Sequence, residues 1–159
     1  MSSDDRAVTL REQVAPVVRA LEQSLGDSLV SVVLFGSRAR GEARPDSDWD
    51  LLVIAEHLPD RLLKRSLFVV SLLPPQWRHR VAIVAKTRAE FESALASLYL
   101  DIAVDGIILY DRSRYVAAKL AYLQRRISEL GLRRVELNGD RVWLCRNPPG
   151  SQWSLEWTQ

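Results

Sequence analysis

The sequence contains a single cysteine, Cys145, which excludes an internal disulfide and a cysteine-rich metal site. No uninterrupted apolar run approaches the ~20 residues that a membrane-spanning helix requires. Residues 1–6 are polar and acidic and lack the hydrophobic centre of a secretory signal, so a soluble cytoplasmic protein with no membrane association is expected. An excess of one charge is also missing. The 22 Lys and Arg against 20 Asp and Glu leave a net charge of +2, too little to mark a nucleic-acid binder by bulk charge. Repeats, low-complexity tracts and linkers are absent. One local scarcity matters later: no Asp or Glu occurs between Asp60 and Glu90. What remains is an ordinary globular composition, 159 residues with 47% hydrophobic and 26% charged, enough for one domain with a proper core.

Against this background, residues 34–53 stand out. Residues 30–35 form an apolar, β-branched run that stops at Gly36, as a buried strand should. Gly36 permits close approach of the backbone to a ligand, and Ser37 is placed to cap a short helix beginning there. A helix N-terminus with free N–H groups suits phosphate. Asp48 and Asp50 then sit two apart where the chain turns apolar again at Leu51. On a strand that spacing puts both carboxylates on one face. Such a pair repels unless a cation lies between its members, and oxygen ligands of this kind favour magnesium shared with a substrate phosphate. The alternative reading makes the two aspartates turn or cap residues after a polar loop.

With Gly-Ser, a spacer of ten residues from Arg38 to Ser47, and Asp-x-Asp between hydrophobics, the segment resembles the signature of the DNA polymerase β-like nucleotidyltransferase superfamily. The fuller form, GSRARG followed by SDWDLLV, resembles its minimal nucleotidyltransferase branch, which includes antitoxins paired with HEPN-type toxins. The resemblance covers about the first two-thirds of the chain. It implies an α/β (α+β) fold of the polymerase β-like type. A short mixed sheet would carry the signature strands with helices packed on one side, followed by a C-terminal helix and β-hairpin. In domain terms, residues 1–110 would be the nucleotidyltransferase core, and residues 111–159 a helix, hairpin and tail packed on the same single domain.

The resemblance also implies a chemistry. Asp48 and Asp50 would be catalytic and hold Mg2+, while Gly36 and Ser37 would hold the β- and γ-phosphates of a nucleoside triphosphate. Arg38 and Arg40 lie on the signature helix, and one of them would reach the phosphates or the acceptor. In the superfamily a third carboxylate sits on a neighbouring strand. Here that strand reads Arg80-Val81-Ala82-Ile83-Val84, and Ala82 stands where the acid is expected. Asp101 and Asp105 are the nearest later acids and fall in a helical pattern and its cap. His79 is either a base or simply solvated. Two functions stay open. One is a magnesium-dependent enzyme moving a nucleoside monophosphate, AMP by preference, to a hydroxyl on a partner toxin or a small molecule such as an aminoglycoside. The other is a catalytically impaired nucleotide-binding or partner-neutralising module. Nucleic acid stays among the candidate partners, because Arg78-His79-Arg80, Arg125-Arg126 and Arg133-Arg134 could track a phosphate backbone if gathered on one surface.

Elsewhere the pattern is structural. Thr9-Leu10-Arg11-Glu12 reads as a capping box opening a helix with Leu10, Val14, Val17, Val18, Leu21 and Leu25 inward, Pro16 as a kink or restart and Gly26 as its end. Leu58-Pro59-Asp60 opens a second helix whose apolar positions are Leu62, Leu63, Leu67 and Val70, with Arg61, Lys64 and Arg65 on a solvated face. Pro74-Pro75 ends it. A strand over 80–85 precedes a second capping box at Thr87–Glu90, a helix carrying Phe91, Leu95 and Leu98, further helix to Val104, and a short strand over 107–110. Asp111 can cap the following helix, with Val116, Leu120, Leu123, Ile127 and Leu130 as its stripe. Asn138-Gly139 signals a hairpin turn between strands alternating Val135 with Leu137 and Val142 with Leu144. Trp153 and Trp157 in the tail cover the core or meet a partner.

Overall fold

The structure, a computed structural model, describes residues 2–146, 150 and 155–157. Trp153 and the Pro148-Pro149 pair lie outside the described residues.

Four strands form a mixed sheet in the order β3-β2-β1-β4. β1 (Leu29–Phe35) and β2 (Trp49–Ala55) carry the signature and pair antiparallel. β3 (Val81–Lys86) runs parallel to β2, and β4 (Ile107–Asp111) antiparallel to β1. The two central strands are apolar almost throughout because both faces of the sheet are covered. The residues of β1 divide between two cores, with the alternation shifted by a register irregularity near Ser31. Val32 and Leu34 pack with Leu10, Val14, Val17 and Leu21 of α1 (Ser3–Leu25) and Val69 of α3 (Leu62–Ser71). Val30 and Val33 pack with Phe91 of α4 (Arg88–Ser93), Tyr99 to Ala103 of α5 (Ser97–Asp105), and Val116, Leu120 and Leu123 of α6 (Tyr115–Glu129). Helices therefore flank the sheet on both faces, and the expectation of helices on one side is corrected. The almost uninterrupted apolar run of the two central strands carried that information.

Several local readings also need correcting. α1 begins at Ser3, not Thr9: Ser2 caps it and Asp5 completes the box, while the Thr9 hydroxyl donates back to Asp5 O inside the helix at 3.0 Å. Both Ser2-x-x-Asp5 and Thr9-x-x-Glu12 fit the capping pattern. The earlier one prevails because the extra turns find partners, Ala7 in the core and Arg6 at Ala39 O. The helix also continues across Pro16, which neither restarts nor ends it.

The face of α3 is the larger reversal. Its buried residues are Arg65 and Val69, whereas Leu62, Leu63 and Leu67 are 69%, 74% and 63% exposed. Arg65 decides this. Its guanidinium donates to Pro59 O at 2.8 Å and Ala85 O at 3.3 Å, and grips Glu90 with both Nη atoms, at 2.6 and 2.9 Å. Glu90 is itself half of the Thr87 capping box that opens α4, so one carboxylate joins two helices.

The hairpin forms as expected, β5 (Leu132–Leu137) and β6 (Asp140–Cys145) turning through Asn138 and Gly139, both at positive φ. It makes a separate two-stranded sheet, and its packed side is Leu132, Arg134, Trp143 and Cys145. Of the alternation read from the sequence, Leu137 and Leu144 face out, 53% and 49% exposed, while Val135 and Val142 are half-buried. Arg134 holds the inner side by ion pairs to Asp101 and Asp105 at 3.1 Å, and Trp143 Nε1 donates to Asp101. Trp157 covers the core beside Phe91, Tyr99 and Tyr122, its Nε1 donating to Phe91 O at 3.0 Å.

Candidate functional site

The register of β1 with β2 sets Phe35 opposite Asp50, so the turn after β1 and the acidic start of β2 are neighbours. The contact is close. Gly36 has φ +73°, and a Cβ built on it would lie 2.0 Å from Asp50 Oδ2 and 2.8 Å from Asp50 Cγ. Only glycine lets this turn lie against that carboxylate. Asp48 is exposed just before β2, and Asp50 is half-buried. Burial, and secondly the Asp48 charge, push the Asp50 carboxyl above its usual range, while Arg40 and then Arg38 pull it down. Two negative groups thus share one place with incomplete compensation, which is an electrostatic opening for a cation.

α2 (Gly36–Arg40) is a five-residue helix, and Ser37 lies inside it instead of capping it. The N-cap position is Phe35, with no side-chain cap, because the helix starts directly at the strand's end. The Ser37 hydroxyl has no hydrogen-bond partner among the described residues. Its carbonyl accepts the Glu42 N–H at 2.9 Å, closing the helix around Gly41, which takes the left-handed conformation.

The two signature arginines have distinct tasks. Arg38 donates from Nε to Ser47 O at 3.2 Å and from Nη2 to Pro45 O at 3.4 Å, and its guanidinium lies 4.5 Å over the Trp49 ring. It is the strut of the loop that delivers Asp48. Arg40 donates to Glu42 Oε2 at 2.8 Å, and that same oxygen accepts Arg141 Nη2 of β6, also at 2.8 Å. These two cations hold the Glu42 carboxyl down at about 2. Neither Glu42 nor Arg141 was singled out from the sequence. A pairing across ninety-nine positions leaves no local pattern, and only the fold brings the hairpin to this loop.

Ala82 sits directly beside Asp50 in the parallel ladder and is exposed, so a side chain is present there without a carboxylate. Asp101 and Asp105 are elsewhere, engaged by Arg134. His79 is exposed before β3. Among the described residues no group of three or more His, Cys, Asp or Glu could hold a metal ion. The donor set is therefore two carboxylates. That suits magnesium in its usual mode, bound by one or two carboxylates and completed by substrate phosphates and water, and does not suit an all-protein cage. Of the basic clusters, Arg126 and Arg134 are in ion pairs, with Glu129 and with Asp101 and Asp105, whereas Arg78, His79 and Arg80 are exposed. A cleft of about 540 Å3 opens between α1, the end of α2 and the α5–β4 junction; Arg40 lines it, and Asp48 and Asp50 do not.

A mixed sheet flanked by helices, with a Gly-Ser turn laid against the Asp-x-Asp segment that opens β2, defines the nucleotidyltransferase fold. The chain belongs to the nucleotidyltransferase domain family, whose model matches residues 14–127. It is 57% identical over 98 residues to a protein of Methanocaldococcus jannaschii named "putative protein adenylyltransferase", a match spanning 59% of this chain and 67% of that one. Its fold resembles that of a chain in a toxin–antitoxin crystal structure with AMP-PNP, at 21% identity and a TM-score of 0.51, covering 74% of this chain and 91% of the other. More distant is a chain from the complex of a tri-AMPylated Shewanella oneidensis HEPN toxin with MNT antitoxin, at 16% identity and a TM-score of 0.47, covering 81% and 89%. No described helix is long and apolar enough to cross a membrane.

Proposed function

We propose that this chain is a magnesium-dependent adenylyltransferase of the cytoplasm, which moves AMP from ATP to a hydroxyl on a partner protein of the HEPN toxin type. The observation that carries the reading is the contact between Gly36 and the Asp50 carboxylate, which joins the phosphate turn to the acidic strand. The M. jannaschii relative's name supports protein adenylylation in particular. Asp48 and Asp50 would hold the cation, whose chemistry is to neutralise the triphosphate and polarise the reacting groups. Gly36 would let the triphosphate lie against the turn, and the Ser37 hydroxyl has a free donor to offer it. Arg40 is the nearer candidate for phosphate contact, since Arg38 is committed to the Pro45 and Ser47 carbonyls. The acceptor oxygen bonds to the α-phosphorus, the bond to the β-phosphate oxygen breaks, pyrophosphate departs and the hydroxyl proton goes to solvent. Positioning and charge neutralisation supply most of what such a transfer needs.

Ala82 beside Asp50 favours a second reading, a module that binds nucleotide and partner without transfer. One experiment separates the two. The protein is incubated with α-labelled ATP and magnesium, with and without lysate of its source. Label transferred to a protein and abolished by Asp48→Asn supports the enzyme. Magnesium-dependent ATP binding without transfer leaves the module. Absence of magnesium–ATP binding by calorimetry refutes both.

A further inference from the structure

α3 carries four of the eight large hydrophobic side chains that are exposed among the described residues. Leu63 and Leu67, at i and i+4, form an exposed row that the half-buried Val70 extends at i+7; Leu62 stands exposed in the first turn about 100° round from Leu63, and Phe68, 37% exposed, lies about 100° round from Leu67. Four large side chains on a ten-residue helix exceed the scattered leucines of an ordinary surface. Nor can the helix roll to bury them. A turn of about 100° about its axis would withdraw Arg65 from Pro59 O, Ala85 O and Glu90 together. The buried arginine fixes the apolar row outward.

Charge then selects the occupant. The chain has no acid between Asp60 and Glu90, and Arg61 and Lys64, exposed beside the row, form no ion pair with any described residue. A symmetric contact with a second copy sets a patch against itself, so Arg61 and Lys64 would meet their own kind, with the exposed Asp60 before Arg61 as the acid adjoining them in sequence and none within the helix. The row itself is aliphatic, with the aromatic Phe68 lying off it. That favours interlocking with another helix over the aromatic anchoring typical of membrane interfaces.

We propose that α3 is the docking surface for a partner protein, which presents an amphipathic helix with an aliphatic face and a rim of Asp or Glu. The surface stands independently of the adenylyl-transfer reading, and it supplies what a protein acceptor requires. α3 leads through the Pro74-Pro75 turn into β3, whose Ala82 lies beside Asp50, so the docking helix and the candidate site are joined by consecutive elements. A helix of this length is about 15 Å long, too small for a permanent interface and suited to a partner that is released.

The test uses the full chain and two labelled, hydrocarbon-stapled amphipathic helices with identical leucine faces, one with a glutamate rim and one with a lysine rim. Fluorescence anisotropy should show binding of the glutamate peptide only, weakened at least about tenfold by Leu63→Glu/Leu67→Glu. Both positions are solvent-exposed, so the variant should keep the native melting curve, and Leu63→Ser/Leu67→Ser provides a second variant without added charge. Equal binding of both peptides, binding of neither, or binding unaffected by both variants overturns the proposal. So does leucine-dependent flotation with phosphatidylcholine–phosphatidylserine vesicles, or leucine-dependent dimerisation in sedimentation velocity.

Discussion

Replacing Gly36 with alanine tests the central contact of the site. The residue has φ +73°, a conformation that costs an L-residue about 1–2 kcal/mol. The new methyl would also fall 2.0 Å from Asp50 Oδ2, so the carboxylate or the turn must move, at the roughly 1–3 kcal/mol typical of overpacking. The expected loss is about 2–5 kcal/mol, and at roughly 2–4 °C per kcal/mol for a chain of this size the melting temperature falls by about 4–20 °C. The two parts separate in a double-mutant cycle. Asp50→Ala removes the obstructing carboxylate, so Gly36→Ala on that background should cost only the conformational share. On the native background it should also weaken magnesium–ATP binding by at least about tenfold, measured by calorimetry. A single variant that melts like the parent and binds ATP equally well would refute the geometry. So would a cycle in which the two changes simply add.

Other perturbations probe the frame and the charges. Arg65→Met should cost about 2–3 kcal/mol in chemical denaturation: it orphans two carbonyls while leaving Glu90, 41% exposed, in water. The Glu90 carboxyl, held near 2 chiefly by Arg65, contributes stability that is present above about pH 4.5 and lost as pH falls toward 2; Arg65→Met should shrink that acid limb to the share the Thr87 N–H supplies. Asp50 behaves oppositely. Its raised pKa disfavours the folded state once the group ionises, and the penalty disappears as pH falls through the folded value, so Asp50→Asn should stabilise the protein at neutral pH and lose the advantage in acid, read from melts across pH 7 to 4. Ala82→Asp places a third carboxylate beside Asp50 and should lower the metal-free melting temperature while tightening magnesium binding; an unchanged magnesium affinity would count against a metal role for this edge. Asp111→Ala removes acceptors for the N–H groups of Val116 and Ala117 and for the buried Ser31 hydroxyl, and should cost about 2–3 kcal/mol in the same denaturation assay.

The signature segment was legible because its physics is local. The strand ending at Gly36, the acids two apart and the strand after Pro74-Pro75 all appear within a residue or two of where the spacing puts them. Caps with both partners nearby were legible for the same reason, as at Thr87–Glu90. Faces were harder. On α3 the count of leucines pointed inward, yet one arginine with two carbonyls and a carboxylate to satisfy outweighed them, and those partners come from residues 59, 85 and 90. On the hairpin the pattern left the packed side undecided: Arg134 and Trp143 took it by finding Asp101 on α5, while Leu137 and Leu144 stayed outside. In both cases a long side chain buries its stem and its charge together once a distant partner exists. Hydrophobicity read along the chain cannot register such a partner.

The clasp at Glu42 has a consequence for how the molecule responds to its medium. The carboxylate and both its arginines are at least a fifth exposed, so the join between the C-terminal ribbon and the loop bearing the signature is made of charges in contact with solvent. Dissolved electrolyte shields such charges, whereas it does not screen the apolar contacts beneath the sheet. Raising ionic strength should therefore free Arg40 and unfasten the ribbon's tip well before it disturbs the core. The protein carries a salt-adjustable latch beside its carboxylates.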